Sequence, residues 1–169
     1  MKILDVGCGG ARKEGAIGID IAPHECVDIV HDLNKYPWPV EESSFDEALC
    51  KDVVEHLDDV VKLMEELHRI LKPGGRIIIN TPHFSHPGSF RDPTHKHHFT
   101  YGTFDYFTGE VDYPRYTDKK FKMIKKELLF RKPYAIGKLL YRISPVRYEK
   151  YYCHRFPANN IYCEIEVVK

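Results

Sequence analysis

The chain of 169 residues reads as an α/β protein with a doubly wound, mostly parallel sheet of seven strands, and three observations predict that class. Short runs rich in Ile and Val recur with polar turns between them, as buried parallel strands do. One long amphipathic stretch separates the fourth run from the fifth. Two more runs follow near the end of the chain. In a sheet of this kind ligands sit beyond the carboxyl ends of the strands.

The elements follow in order. Ile3–Val6 is the first strand, closed by a turn at Gly7 and Gly9, and Ile17–Ile21 is the second. The interval "ARKEGAIG" between them contains Gly15 and Gly18, so the first crossover is expected to be a turn or two of helix, or no helix. Val27–Val30 and Glu47–Cys50 are the third and fourth strands. Asp58 is the expected N-cap of a helix that puts Val60, Met64, Leu67 and Leu71 on one stripe, and "KPGG" at 72–75 ends it. Arg76–Asn80 is the fifth strand. Thr81–Phe107, crowded with His, Pro and aromatic residues, starts at a strand's carboxyl end and is expected to lie over the ligand site. Phe121–Phe130 and Asn160–Lys169 are the last two strands, with a Tyr- and Arg-rich segment and a short helix at Leu139–Ile143 between them. The chain is thus one domain, 1–169, with a ligand-binding half at 1–82, a lid or acceptor loop at 83–120, and C-terminal strands with a basic insertion at 121–169.

Composition narrows the function classes. A 43% hydrophobic chain of this length supports one real core. No apolar run approaches the length of a membrane span and no secretory leader is visible, so a cytoplasmic protein with no membrane partner is expected. Five scattered cysteines without a CxxC pair argue against a disulfide framework or a zinc knuckle. The formal net charge is zero, but residues 1–112 carry 11 Lys/Arg against 20 Asp/Glu, whereas 113–169 carry 14 against 5. That asymmetry admits either an anionic partner for the basic part or a solvated lysine face.

The opening "LDVGCGGARKEGAIGID" carries the first binding motif. Gly7 and Gly9 let a backbone turn sharply and approach a ligand. A dinucleotide fingerprint would need glycine at position 12, where Arg12 stands, so a dehydrogenase is disfavoured. Asp5, Asp20 and Asp32 fall at the ends of three successive strands and form a constellation. From "LDVGCGG" through "GIDI", "DLNKYPWPVEESSFDEAL" and "VVEHLDD" to "LHRILKPGGRIIINTP", the sequence resembles the class I S-adenosylmethionine-dependent methyltransferases, with their Rossmann-like sheet. The resemblance covers Lys2–Pro82 and implies S-adenosylmethionine as cofactor. It sets Gly7, Cys8 and Gly9 by the amino-acid half, Asp20 on the ribose hydroxyls, and Asp32 with Leu33 at the adenine, and adds Asp5, Ile21 and Lys51 to the cofactor set. Two departures stand out: Ala11 replaces the family's third glycine, and the Asp5–Asp20 interval is short. Only two residues precede the first strand, so the chain is expected to be N-terminally truncated relative to the family, with an open site.

Methyl transfer is an in-line displacement, so the acceptor pocket defines the chemistry. Neither an N/D-P-P-Y motif nor a Pro-Cys nucleophile follows a strand, which disfavours two base-methylating chemistries; Cys50 reads as core. In "KDVVEHL", Asp52, Glu55 and His56 fall at i, i+3 and i+4 and share one side of a helical turn. With a histidine from the following loop, they have the ligand types of a divalent metal site. The order acidic-x-x-Glu-His, "TPH", then "THKHHFT" resembles metal-dependent O-methyltransferases acting on the 3′-terminal ribose of small RNAs or on catechol-like ubiquinone precursors. Asp52, Glu55, His56 and His95 are the candidate metal set, of Mg or a similar ion. His95 and His56 are the candidate catalytic residues, and His97 and His98 share the proximity to Asp92 that suits a general base. The leading expectation is methyl transfer to a hydroxyl of a small molecule. An RNA ribose 2′-O-methyltransferase using the basic C-terminal part, and a non-catalytic S-adenosylmethionine-binding protein, are the alternatives.

Overall fold

The computed structural model describes residues 1–109, 111, 116–132 and 135–169. Its seven strands are β1 (Ile3–Val6), β2 (Ile17–Asp20), β3 (Ile29–Val30), β4 (Phe45–Lys51), β5 (Leu71–Pro82), β6 (Lys120–Leu129) and β7 (Asn160–Val168). They form one sheet in the order β3-β2-β1-β4-β5-β7-β6. The first five are parallel, and β7 runs antiparallel between β5 and β6. The order reverses beside β1, so the carboxyl ends of β1, β2 and β4 open a crevice there.

No described helix joins β1 to β2, in keeping with Gly15 in that connection; Gly18 falls inside β2. Helix α1 (Val60–Ile70) begins one residue later than expected: Asp59, not Asp58, is the N-cap, its side chain accepting from Lys62 N. Leu71, expected on the helical stripe, leaves the helix as the first residue of β5, paired with Phe45. "KPGG" is therefore strand, because the helix ends straight into the sheet. Short helices α2 (Gly88–Arg91) and α3 (Asp105–Thr108) interrupt the long loop, whose residues 110 and 112–115 lie outside the described residues. The expected helix at Leu139–Ile143 extends to α4 (Ala135–Ile143), and α5 (Pro145–Tyr151) follows it. Ser144 caps α5, accepting from Arg147 N, with Pro145 at its first turn.

Leu4, Ile19, Ala48, Ile77, Ile79, Cys163 and Ile165 form the sheet's buried layer, and α1 adds Leu63, Met64, Leu67 and Ile70 to it. Along β5 and β7 burial alternates, and at intervening positions Arg76 and Glu164 pair across the two strands. Such a half-solvated face belongs to the antiparallel part of the sheet.

Candidate functional site

A cavity of about 250 Å³ lies at the carboxyl ends of β1, β2 and β4, with Gly7, Asp20, Ile21, Asp32, Leu33 and Val53 in its wall. Gly7 has φ +66°, and a Cβ there would sit 2.4 Å from Val53 Cγ2. The first glycine thus makes room for Val53 as well as for the turn. Gly9 N donates to Asp20 Oδ2 and Ala22 N to Asp20 Oδ1, both at 2.9 Å. The two backbone donors fix the carboxylate while each oxygen keeps lone-pair capacity, which suits a pair of neighbouring hydroxyls. Ile21, 65% exposed, and Leu33 both line the cavity, an apolar setting for a flat ring.

Asp5, Cys8, Gly9 and Lys51, expected in the cofactor set, are not among the lining residues. Asp5 is buried and accepts from Lys13 N at 2.7 Å, so it clamps the β1–β2 turn from behind. Cys8 packs where a Gly18 side chain would be, its thiol pushed up to about 11 by burial and then by the Asp5 and Asp20 charges. Gly9 acts through its bond to Asp20, and Lys51 is exposed at the end of β4. Asn34 and Leu57 line the cavity and were missed. Asn34 Oδ1 accepts from Asp58 N at 2.8 Å, a contact between distant segments that local spacing does not reveal.

A second cavity, of about 520 Å³, shares Asp52 and His56 with the first and adds Glu55, Pro82, Arg91, Asp92 and His95. Asp52 has φ +50°, a left-handed conformation uncommon for a residue with a side chain, held by its N–H on the Asn80 carbonyl at 2.8 Å. The residues after it form a 3-10 turn, Val54–His56, which is the helical turn expected at this point. Glu55, His56 and His95 each place one ligand-type atom within 4.8 Å of the others, and the two rings meet edge to face at 4.6 Å. Asp52 lines both cavities from the rim and does not join this close group.

Hydrogen bonds assign the free nitrogens. His95 Nδ1 donates to the Ser89 carbonyl at 2.9 Å, which leaves Nε2 with its lone pair. Thr94 Oγ1 donates to Asp92, so the 2.9 Å contact from His56 Nδ1 to that hydroxyl is a donation, and His56 Nε2 also keeps a lone pair. Glu55 is 1% exposed: Oε2 accepts from Thr81 Oγ1, while Oε1 is buried with no partner among the described residues. Burial raises its pKa above the usual carboxyl value, more than the bonds from the backbone and Thr81 lower it.

The other candidates face elsewhere. His97 and His98 line a separate cavity with Phe99 and Tyr106, and His98 stacks on Phe90 at 4.0 Å, so neither stands with His95 as a base. His83 of "TPH" is fully buried between Ser85 Oγ at 2.7 Å and Glu149 Oε1 at 2.9 Å. Cys50 is core, its thiol pushed up by burial.

Residues 4–79 match the family described as methyltransferase domain. The ubiquinone biosynthesis O-methyltransferase of Acinetobacter baumannii (strain AYE) is 29% identical over 102 residues, which are 47% of this chain and 43% of that protein. The chain thus matches less than half the length of this curated relative. Among solved structures, an S-adenosylmethionine-dependent methyltransferase from Mesorhizobium loti covers 98% of this chain and 90% of its own at TM-score 0.61 and 18% identity. A second, from Archaeoglobus fulgidus, covers 98% and 85% at TM-score 0.59 and 20% identity. These likenesses show the class I methyltransferase fold.

Proposed function

We propose that this chain, which has the class I methyltransferase fold and carries a methyltransferase domain over residues 4–79, transfers a methyl group from S-adenosylmethionine to a hydroxyl of a small molecule. One observation carries the reading: a nucleoside-sized cavity and a larger one meet at Asp52 and His56, with His95 facing their junction. The donor set fits the cofactor. Asp20 offers two anchored acceptor oxygens for the ribose hydroxyls, and Ile21 and Leu33 offer apolar surface for adenine. Bound there, S-adenosylmethionine supplies an electrophilic methyl on a sulfonium.

The remaining work falls to this chain's own side chains. Asp52 puts a carboxylate at the junction, where a positive charge has to be held close to the acceptor. The larger cavity orients the acceptor hydroxyl, a contribution worth several orders of magnitude in rate. His95 Nε2 accepts the hydroxyl proton, since its other nitrogen is committed to Ser89 and imidazole is the side chain most often used as a general base. Asp92 holds Thr94, which orients His56 beside it.

A second reading of the same cluster is favoured by the unpartnered Glu55 Oε1. A buried carboxylate oxygen without a donor, next to two imidazoles with free lone pairs, matches the donor set of a divalent cation. Glu55, His56 and His95 would hold such an ion, which would supply Lewis acidity toward an acceptor hydroxyl.

Calorimetry with S-adenosylmethionine and its demethylated product tests the cofactor assignment. Asp20→Ala should weaken binding by roughly 1.5–3 kcal/mol, the range for hydrogen bonds to a charged group. Unchanged affinity in that variant would remove the reading. Activity on hydroxylated acceptors that survives a chelator but is lost in His95→Ala selects the base, and activity lost to the chelator and restored by added Mg selects the cation.

A further inference from the structure

Away from the two cavities, the helical pair α4–α5 has an outer surface unlike the rest of the molecule. Gly137 marks the inward side of α4, where a Cβ would stand 2.7 Å from the Phe156 carbonyl and 2.8 Å from the Phe130 ring. Tyr141, one turn on, packs against Phe130 and Tyr148. With that side fixed, Ile136, Leu139 and Ile143, at i, i+3 and i+7, share a face turned to solvent and are 55%, 61% and 73% exposed. Val146 at the start of α5 continues the patch at 73% exposure. Four large aliphatic side chains left in water on one short motif are not the scattered apolar exposure of an ordinary surface.

The charges that α4 and α5 themselves turn to solvent beside the patch are of one sign. Lys138 and Arg142 on α4 and Arg147 and Lys150 on α5 are all exposed. The one acidic residue between 131 and 152 is Glu149, and it is turned away, accepting from Tyr101 N at 2.6 Å and paired with His83 Nε2. Because Glu149 grips buried His83, the pair is held to the body of the protein at the residue after Pro82.

We propose that α4–α5 is a peripheral docking surface for an anionic lipid bilayer. The aliphatic face would enter the boundary between headgroups and acyl chains, and the basic residues would meet the headgroup phosphates. No helix of the described residues is long and apolar enough to cross a membrane, and a contact of this kind needs none. It replaces, for surface contact, the expectation of no membrane partner drawn from the lack of an apolar span. A nucleic acid would use the cations but leave the aliphatic face in water, and a second copy would bring the same four cations against themselves. The proposal does not depend on the methyl-transfer reading.

Sedimentation of the full chain with vesicles tests it: one set of phosphatidylcholine alone, the other of phosphatidylcholine and phosphatidylglycerol in equal parts. The protein is expected to pellet with the anionic set only, less so as salt rises. Leu139→Asp and Ile143→Asp, at exposed positions and with unchanged melting temperature, should each weaken binding on the order of tenfold. Arg142→Ala should weaken it about fivefold. Absence from the anionic pellet, equal pelleting with both sets, or binding undiminished in the aspartate variants overturns the proposal. So does self-association by ultracentrifugation that Leu139→Asp abolishes while vesicles are ignored, which would make the patch a contact between copies. Affinity for a single-stranded oligonucleotide that Arg142→Ala lowers and Leu139→Asp leaves intact, again with vesicles ignored, would assign the surface to nucleic acid. Cofactor calorimetry on the same samples reads the methyl-transfer proposal separately.

Discussion

Glu55 is the residue whose environment makes the sharpest demand, because its carboxyl group is buried with one oxygen unpartnered. Its pKa is raised by folding, so between the ordinary carboxyl value of 4.5 and the higher folded value the native state binds more protons than the unfolded chain. Stability contributed by the protonated form is therefore complete below 4.5 and is lost as pH rises through the folded-state value. Glu55→Gln lacks this titration, so its urea midpoint should gain on the wild type across that window and run level with a constant offset beyond it. If a divalent cation belongs to the site, adding Mg should stabilise the wild type more as pH climbs and leave Glu55→Gln unmoved, since ligation needs the carboxylate. Gly7 makes a second residue-scale demand. Gly7→Ala combines φ +66° with a contact of 2.4 Å to Val53, so it should cost about 1–3 kcal/mol by chemical denaturation and distort the cavity's Val53 wall.

At the scale of elements, α1 is secured at both ends and along its length. Asp59→Ala removes the N-cap bond to Lys62 N and should cost about 1 kcal/mol in thermal or urea unfolding, whereas Asp58→Ala, outside the cap, should not show that loss. Glu66, 6% exposed, accepts from Trp38 N at 2.7 Å and from Arg69 Nη2, and Arg69 in turn donates to the Trp38 and Val40 carbonyls. The pair thus ties the β3–β4 connection to the helix. Glu66→Ala leaves a part-buried guanidinium without its counter-charge and the Trp38 N–H without an acceptor, and should destabilise by about 3 kcal/mol, read by urea unfolding. Sequence made much of this level legible, because strand and helix periods are local signals. Val60, Met64 and Leu67 announce α1, and Cys163, Ile165 and Val167 alternating with Glu164 and Glu166 announce a strand wet on one side. What stayed hidden was set by contacts between distant segments. Nothing local says that Leu71 leaves the helix to pair with Phe45, that Asn34 meets Asp58, or that His83 is locked inward by Glu149 while His95, twelve residues on, lines the larger cavity.

At the scale of the molecule, the two halves separated by charge are joined within one sheet. β7, drawn from the basic part, lies between β5 and β6 and pairs with β5 from Arg76 to Pro82. That placement has a consequence for how the protein can be divided. The match to the methyltransferase domain ends at residue 79, yet the strand it ends on has its outer edge covered by residues some eighty positions later. A fragment of residues 1–82 would present "RIIINTP" as a bare, β-branched edge. We expect that fragment to precipitate or form oligomers on expression while the full chain stays dispersed, a difference that light scattering reads directly. Equal dispersal of both would show that the N-terminal half closes its own edge. On this view the boundary of sequence kinship is not a boundary of folding: β5 gains its second neighbour only once a loop of nearly eighty residues has closed, a long-range step that delays completion of the native sheet.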